Sequence, residues 1–223
     1  MNKILSIDVG IKNLAFCILD EDSKISEWNV LNIIDDTLIC NGVHKNGNAC
    51  KAKASFYELI DNNKIGYCKT HTKPNLKPFK PKKIKSIPVR EISERLYKTL
   101  DSYKSILDVQ KVLIENQPCL MNPMIKTVQV LIYSYFIMKG LMEPSSTIED
   151  VQFVNARNKL SFYNGPPIEI FSKNKYSQRK KESIEVCKYM LNNSNHLEFF
   201  LSHAKKDDLA DCYLQGLWYL SKK

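Results

Sequence analysis

"KILSIDVGIKNLAFCILDEDSKISEWNVLNII", residues 3–34, is where the fold is decided. It contains three runs, "KILSIDVG", "NLAFCILD" and "KISEWNVLNII", rich in Ile, Leu, Val and aromatic residues and separated by turn-prone Gly, Asn, Asp and Ser. Each reads as a strand, and three strands joined by short turns form an antiparallel meander. Downstream the period changes. Residues 90–104, "REISERLYKTLDSYK", repeat Ile92, Leu96, Leu100 and Tyr103 at helical spacing, and "KVLIENQP" follows as a short buried strand ending at Glu115. Asn122 followed by Pro123 starts a helix over 123–140, and "DVQFVNA" is the next strand. Helices over 175–191 and 206–221 complete the order. This β-β-β-α-β-α-β-α-α order predicts an α/β domain with a mixed sheet, antiparallel over its first three strands and parallel over the later ones, flanked by helices.

A chain of 223 residues with 43% hydrophobic content has enough apolar side chain for one large domain, or one domain and a small module. Its net charge of +9, from 33 basic and 24 acidic residues, points to a polyanionic partner, nucleic acid before others. The apolar run "VQVLIYSYFIM" at 128–138 is too short to span a bilayer, and Asp8 and Lys12 interrupt the place of a signal peptide. No membrane partner and an intracellular location are therefore expected. The seven cysteines are an odd number. Cys17, Cys119, Cys187 and Cys212 sit in apolar contexts that suit free thiols in a reducing compartment.

Between the third strand and the first helix the composition shifts. Residues 40–71 hold three cysteines and two histidines among Gly, Asn and Lys. The spacing Cys40-x9-Cys50-x17-Cys68-x2-His71 resembles a small structural zinc module, in which Cys68 and His71 form a tight knuckle and the distant cysteines supply the other ligands. His44 is a spare ligand able to replace Cys40 or His71. A segment this short lacks a core of its own without a staple. Residues 73–88, "KPNLKPFKPKKIKSIP", read as an extended basic linker whose lysines either keep it solvated or reach phosphates. The division is a core of 1–35 and 90–223, a zinc module over 36–75 and a linker over 76–89.

"KKDDLADC", residues 205–212, places Asp207, Asp208 and Asp211 on one face at the start of an apolar helix, where like charges repel. Either a helix N-terminus or a bound divalent cation compensates them. Asp8 stands at the end of the first strand before Val9-Gly10, and Glu115 at the end of the fourth. If those strands are neighbours, both carboxylates leave the sheet at the edge where open α/β sheets place their sites. With Asp208 and Asp211 they make four carboxylates, the donor set that two divalent ions need for phosphodiester hydrolysis.

"ILSIDVGIKNLAFCIL", "VLIENQP" and "KKDDLADCYLQGL" resemble the motifs of the RNase H-like Holliday-junction resolvases, the RuvC-type superfamily, and especially its viral, poxvirus-type branch. The resemblance implies an RNase H-like fold. It implies that Asp8, Glu115, Asp208 and Asp211 bind two Mg2+ or Mn2+ ions, with Asp207 as a neighbour or a replacement for Asp208. It also implies a homodimer acting on four-way DNA junctions, and for a viral protein the cytoplasm or nucleus of an infected cell. "NKYSQRKKESI" at 174–184 resembles the start of the helix before the last in the viral enzymes, with Arg179, Lys180 and Lys181 toward phosphates. Lys12 after the first motif, and Arg157 and Lys159 in "NARNKLSFY", complete a nucleic-acid-binding set. Phe162 and Tyr163 read as loop anchors before base-stacking groups.

The leading expectation is a metal-dependent endonuclease that resolves four-way junctions by paired nicks with 5′-phosphate ends. The alternatives are an RNase H-like nuclease on another substrate, such as an RNA–DNA hybrid or a fork, and a non-catalytic zinc-dependent nucleic-acid-binding protein. A sugar kinase or actin-like ATPase also begins with strand and D-x-G, but its glycine-rich phosphate loops are missing from a chain with seven glycines.

Overall fold

The computed structural model describes residues 2–118, 122–171, 174–192 and 194–222. Cys119 lies outside them. The chain forms two compact units, Met1–Ile33 with Val89–Lys223, and Ile34–Pro88. Three strands open the first unit, β1 (Lys3–Asp8), β2 (Leu14–Asp20) and β3 (Ile25–Leu31). The second unit holds β4 (Phe56–Ile60), β5 (Asn63–Tyr67) and β6 (Lys77–Pro78). The first unit then resumes with α1 (Val89–Asp101), β7 (Lys111–Glu115), α2 (Pro123–Phe136), β8 (Asp150–Val154), α3 (Lys175–Met190), α4 (His196–Ser202) and α5 (Lys206–Leu220).

The large sheet has the order β3-β2-β1-β7-β8. β1 pairs antiparallel with β2 and β2 with β3, whereas β7 pairs parallel with β1 and with β8. This is the mixed sheet that the sequence pattern predicts. Because side chains alternate along a strand, β1 serves two cores. Leu5 and Ile7 meet Leu100 of α1 and Phe136 of α2 on one face. Ile4 on the other joins Leu113, Leu209, Leu214 and Leu217 in the core beneath α5 and α3. α2 begins as its sequence dictates, with Asn122 Oδ1 accepting from Met124 N and Ile125 N and Pro123 in the first turn. The helical path then continues as a π turn over Ile137–Leu141.

Two features depart from the sequence reading. α4 was not foreseen, because seven residues are too few to show a period. The second unit is not loop throughout: β4 and β5 form a hairpin, and Lys77–Pro78, inside the Pro/Lys-rich stretch, pairs with β4. The hairpin did carry a signal. Asp61 and Asn62 both take positive φ, 49° and 64°, the conformation of a two-residue type I′ turn that Asp and Asn tolerate.

The deepest anchor of α4 is Phe200. Phe200 is fully buried and stacks on Trp28, with centroids 5.5 Å apart and planes 5° from parallel. Trp28 in turn donates through Nε1 to Leu209 O at 3.1 Å, at the start of α5. Phe200→Ala is therefore expected to lower stability by about 3–5 kcal/mol in denaturant unfolding, with Phe200→Leu costing much less.

Candidate active site and metal centre

In the β1–β7 register Ile7 faces Ile114, so the next residues, Asp8 and Glu115, leave adjacent parallel strands side by side. Alternation puts Asp8 on the same face as Ile4 and Ser6, and Glu115 on the same face as Lys111 and Leu113. α5 covers that face. Gln215 Nε2 donates to Ser6 Oγ at 3.0 Å and to Ile7 O at 3.3 Å, and Lys111 Nζ donates to Tyr219 Oη at 3.3 Å. With Tyr219 over the start of β7, the N-terminal turns of α5 reach the edge where Asp8 and Glu115 emerge. Gly216 allows the close approach, since a Cβ there would lie 2.6 Å from Leu19 Cδ1. Gly10 makes the turn after Asp8, where a Cβ would stand 2.2 Å from Asn13 O.

The acids of α5 divide by partner. Lys180 Nζ donates to Asp207 Oδ2 at 2.5 Å, and Lys159 forms an ion pair with Asp211. Asp208 Oδ2 is enclosed and has no hydrogen-bond partner among the described residues. Gln117 Nε2 donates to Glu115 Oε2 at 2.5 Å, and Glu115 shares a hydrogen bond with Asp8. Desolvation, then the Glu115 hydrogen bond and charge, with Asp211 and Asp208 adding to them, hold the Asp8 carboxyl well above the usual range. Desolvation, then the Asp207 charge, pushes Asp208 up to about 6. Desolvation also raises Asp211, although Lys159 opposes it. Asp207 goes the other way: the Lys180 hydrogen bond and charge outweigh its burial and hold it low.

A helix N-terminus accounts for Asp207 and Asp208, which stand in the first turn of α5. It does not account for Asp211 one turn on, for the unmatched oxygen of Asp208, or for Asp8 and Glu115. Among the described residues, five carboxyl groups gather here; Lys159 and Lys180 form ion pairs with two of them, and Lys205 acts on Asp207 and Asp208 through charge alone. An all-oxygen donor set with excess negative charge fits a hard divalent cation.

The structure thus brings Asp8, Glu115, Asp208 and Asp211 together and seats Lys159 and Lys180 among them. Lys12, Arg157, Arg179 and Lys181 are exposed. The helical period explains the split in α3, because its neighbours Arg179 and Lys181 are each turned about 100° from Lys180. Phe162 and Tyr163 pack against the core, and Tyr163 Oη donates to Pro166 O at 3.0 Å. Sequence reasoning passed over Gln117, two residues after Glu115, and its support. Gln117 N donates to Gln129 Oε1 at 2.7 Å, while Lys126 Nζ reaches Asn116 Oδ1 at 3.0 Å and Gln117 O at 3.2 Å. Only the contact between "ENQP" and α2 reveals that role.

In the second unit Cys40, Cys50, Cys68 and His71 converge, with all four ligand atoms within 4.8 Å of one another. His71 Nδ1 lies 3.4 Å from Cys40 Sγ and 3.5 Å from Cys68 Sγ, and Cys50 Sγ lies 4.0 Å from Cys68 Sγ. Ligands on a tetrahedron of zinc size are separated by about 3.8 Å for two sulfurs and about 3.6 Å for sulfur and nitrogen. The knuckle closes through His71 N donating to Cys68 O at 3.1 Å. Burial opposes ionisation of Cys68, but the backbone N–H groups of His71 and Thr70 prevail and lower its thiol to about 6. Gly42 makes room for the ring, since a Cβ there would stand 2.3 Å from His71 Cγ. His44 stays outside the cluster, its ring 5.2 Å from that of His71.

Comparison with known proteins agrees with this architecture. A protein of Acanthamoeba polyphaga mimivirus is 27% identical, over 98% of this chain and 74% of its own length. The yeast mitochondrial Holliday junction resolvase Ydc2 matches at a TM-score of 0.52 and 17% identity, over 98% of this chain and 79% of its own. The fowlpox virus resolvase, in complex with substrate Holliday junction DNA, matches at a TM-score of 0.51 and 17% identity, over 99% of this chain and 97% of its own. At these identities the two structural likenesses establish the RuvC-type, RNase H-like fold. The family described as Poxvirus A22 protein matches residues 83–223, which include Glu115, Lys159, Lys180 and the acids of α5. That span is well over half of the sequence, and the chain belongs to the poxvirus A22 protein family.

Proposed function

We propose that this chain is a metal-dependent endonuclease that resolves four-way DNA junctions, acting as a homodimer so that two symmetry-related strands are nicked. The observation that carries this reading is the convergence of Asp8, Glu115, Asp208 and Asp211 at one edge of the sheet, in a chain of the family just named. Those four carboxylates are assigned to two Mg2+ or Mn2+ ions. When bound, such ions supply an activated water and offset charge on the leaving 3′ oxygen, which yields 5′-phosphate ends. The chain's own residues do the rest. Gln117 fixes Glu115, Lys180 keeps Asp207 ionised, and Lys159 holds Asp211 toward Asp8 and Glu115. Lys12, Arg157, Arg179 and Lys181 are assigned to the phosphates of the arms. Among the described residues no helix is long and apolar enough to cross a membrane. Relatives in two viruses support a virus-infected cell as its setting, and we assign the protein there to the cytoplasm or the nucleus, beside its DNA substrate.

Cys40, Cys50, Cys68 and His71 are assigned to one structural zinc ion. Purified protein should then contain about one zinc per chain. Cys50→Ser or Cys68→Ser should lose it and loosen residues 34–88 to proteolysis while the nuclease core still melts cooperatively. Elemental analysis finding no zinc in protein prepared without chelator excludes the assignment.

Asp8→Asn, Glu115→Gln, Asp208→Asn and Asp211→Asn should each abolish magnesium-dependent nicking of a labelled junction while leaving junction binding intact or tighter. Full activity in any one removes that residue from the set. Faster cutting of an RNA–DNA hybrid than of a junction would assign the same carboxylates to a different substrate.

The raised carboxyls give a pH signature with a definite sign. Unfolded carboxyls lose their protons near pH 4, whereas the folded chain keeps that of Asp208 up to about 6. The folded state binds more protons in that window, so metal-free protein should lose stability as pH rises from about 4 to 6 and recover none of it above. Thermal melts should show Mg2+ or Mn2+ restoring stability at pH 7.5, and Asp208→Asn should reduce both the pH fall and the metal gain.

A further inference from the structure

The chain's basic character is not spread evenly. Residues 34–88 carry eleven lysines against Asp35, Asp36, Glu58 and Asp61, so seven of the nine net positive charges sit in about a quarter of the sequence. All eleven lysines are exposed. The acids are partly spent within the unit: Tyr67 Oη donates to Glu58 with Lys73 Nζ 3.7 Å away, and Asp35 Oδ1 accepts from Thr37 N at 2.9 Å.

The sheet of this unit sorts its side chains. Tyr57 is paired with Lys77, and Leu59 with Lys64, so these four share one face, and Phe79 two residues beyond Lys77 falls on it too. Lys64 Nζ stands 5.2 Å from the centre of the Tyr57 ring and 5.9 Å from that of Phe79, and the rings meet edge to face at 6.2 Å. Cation–π contact holds the Lys64 ammonium over the sheet while leaving its hydrogens for another acceptor. Cys68 follows β5 directly, and Cys40 forms a bridge with Gly66 of β5, so the Cys/His cluster braces the strand that presents Lys64.

We propose that this lysine and aromatic face binds the sugar–phosphate backbone of the duplex arms of the DNA, as a recognition surface separate from the carboxylate site. A protein-binding patch is the poorer fit. Lysine is depleted from the centres of protein interfaces, whereas a phosphate takes a lysine as a point charge. The inference rests on the reading of the chain as a junction-binding nuclease, and it makes the second unit a supplier of affinity.

The test is the salt dependence of junction binding by the full-length protein, followed by fluorescence anisotropy without added magnesium. Lys64→Gln/Lys77→Gln should make the log–log slope shallower by ~1.8, at roughly 0.9 per phosphate contact. Affinity should fall about tenfold or more at moderate salt, and Lys64→Arg/Lys77→Arg should retain most of both. Resistance of residues 34–88 to proteolysis, measured beside each variant, reports whether the unit is still folded; if it falls, the single variants Lys64→Gln and Lys77→Gln read the slope instead, at roughly 0.9 each. A slope equal to wild type in the folded Gln variant overturns the proposal and assigns the face to a non-DNA partner. The two readings fail differently. An unchanged slope with nicking intact sinks this inference alone, whereas absent nicking with the slope difference preserved sinks the nuclease reading.

Discussion

Because β1 and β7 pair in parallel with Ile7 opposite Ile114, two carboxylates from distant parts of the sequence are delivered side by side. Nothing in their own chemistry favours that meeting. It is enforced by the cores on both faces of the sheet, and above all by α5, whose apolar residues lie against Ile4 and Leu113. Fully burying a Leu-sized side chain contributes about 1.5–3 kcal/mol, and several such residues outweigh the repulsion that α5 introduces when it adds Asp208 and Asp211 to Asp8 and Glu115. Stability gained over the length of the helix is spent at its N-terminal end.

Lys159 and Lys180 offset part of the negative charge gathered at that end. Each pairs with one acid; Asp8, Glu115 and Asp208 have no lysine pair of their own, and burial with neighbouring carboxylates shifts the Asp8 and Asp208 carboxyls upward although the Lys180 and Lys205 charges oppose this at Asp208. The site is neither a quenched salt-bridge network nor bare repulsion. Two ammonium groups pair with Asp207 and Asp211, and the net charge of the cluster stays negative.

The strands of the large sheet, their mixed direction and, among the described residues, four of the five α-helices were legible in the sequence because their signals are local. These are alternation in "KILSID", period in "REISERLYKTL", and Asn122-Pro123 as a cap. The acidic quartet was legible because strand ends and helix starts carry position as well as type. α4 was not, since it exists through the stacking of Phe200 on Trp28, a contact between remote residues. The pairing of Lys159 and Lys180 with Asp211 and Asp207, and the grip of Gln117 on Glu115, are equally tertiary. The β4–β5 hairpin was missed for a different reason. Its Asp61-Asn62 turn was visible, but the surrounding Gly, Asn and Lys hid the strands.

The pairing of β1 with β7 also sets the order in which the chain can fold. Strands β1 to β3 form a meander with turns of a few residues, but β7 must return across the whole of residues 34–88 and α1. Closing a loop costs more as it lengthens, by about 0.6 kcal/mol per doubling, and such non-local pairings slow folding. A hairpin and a Cys/His knot inside that loop, once formed, shorten its effective length. Residues that never join the large sheet thereby act on the rate at which its fourth strand arrives.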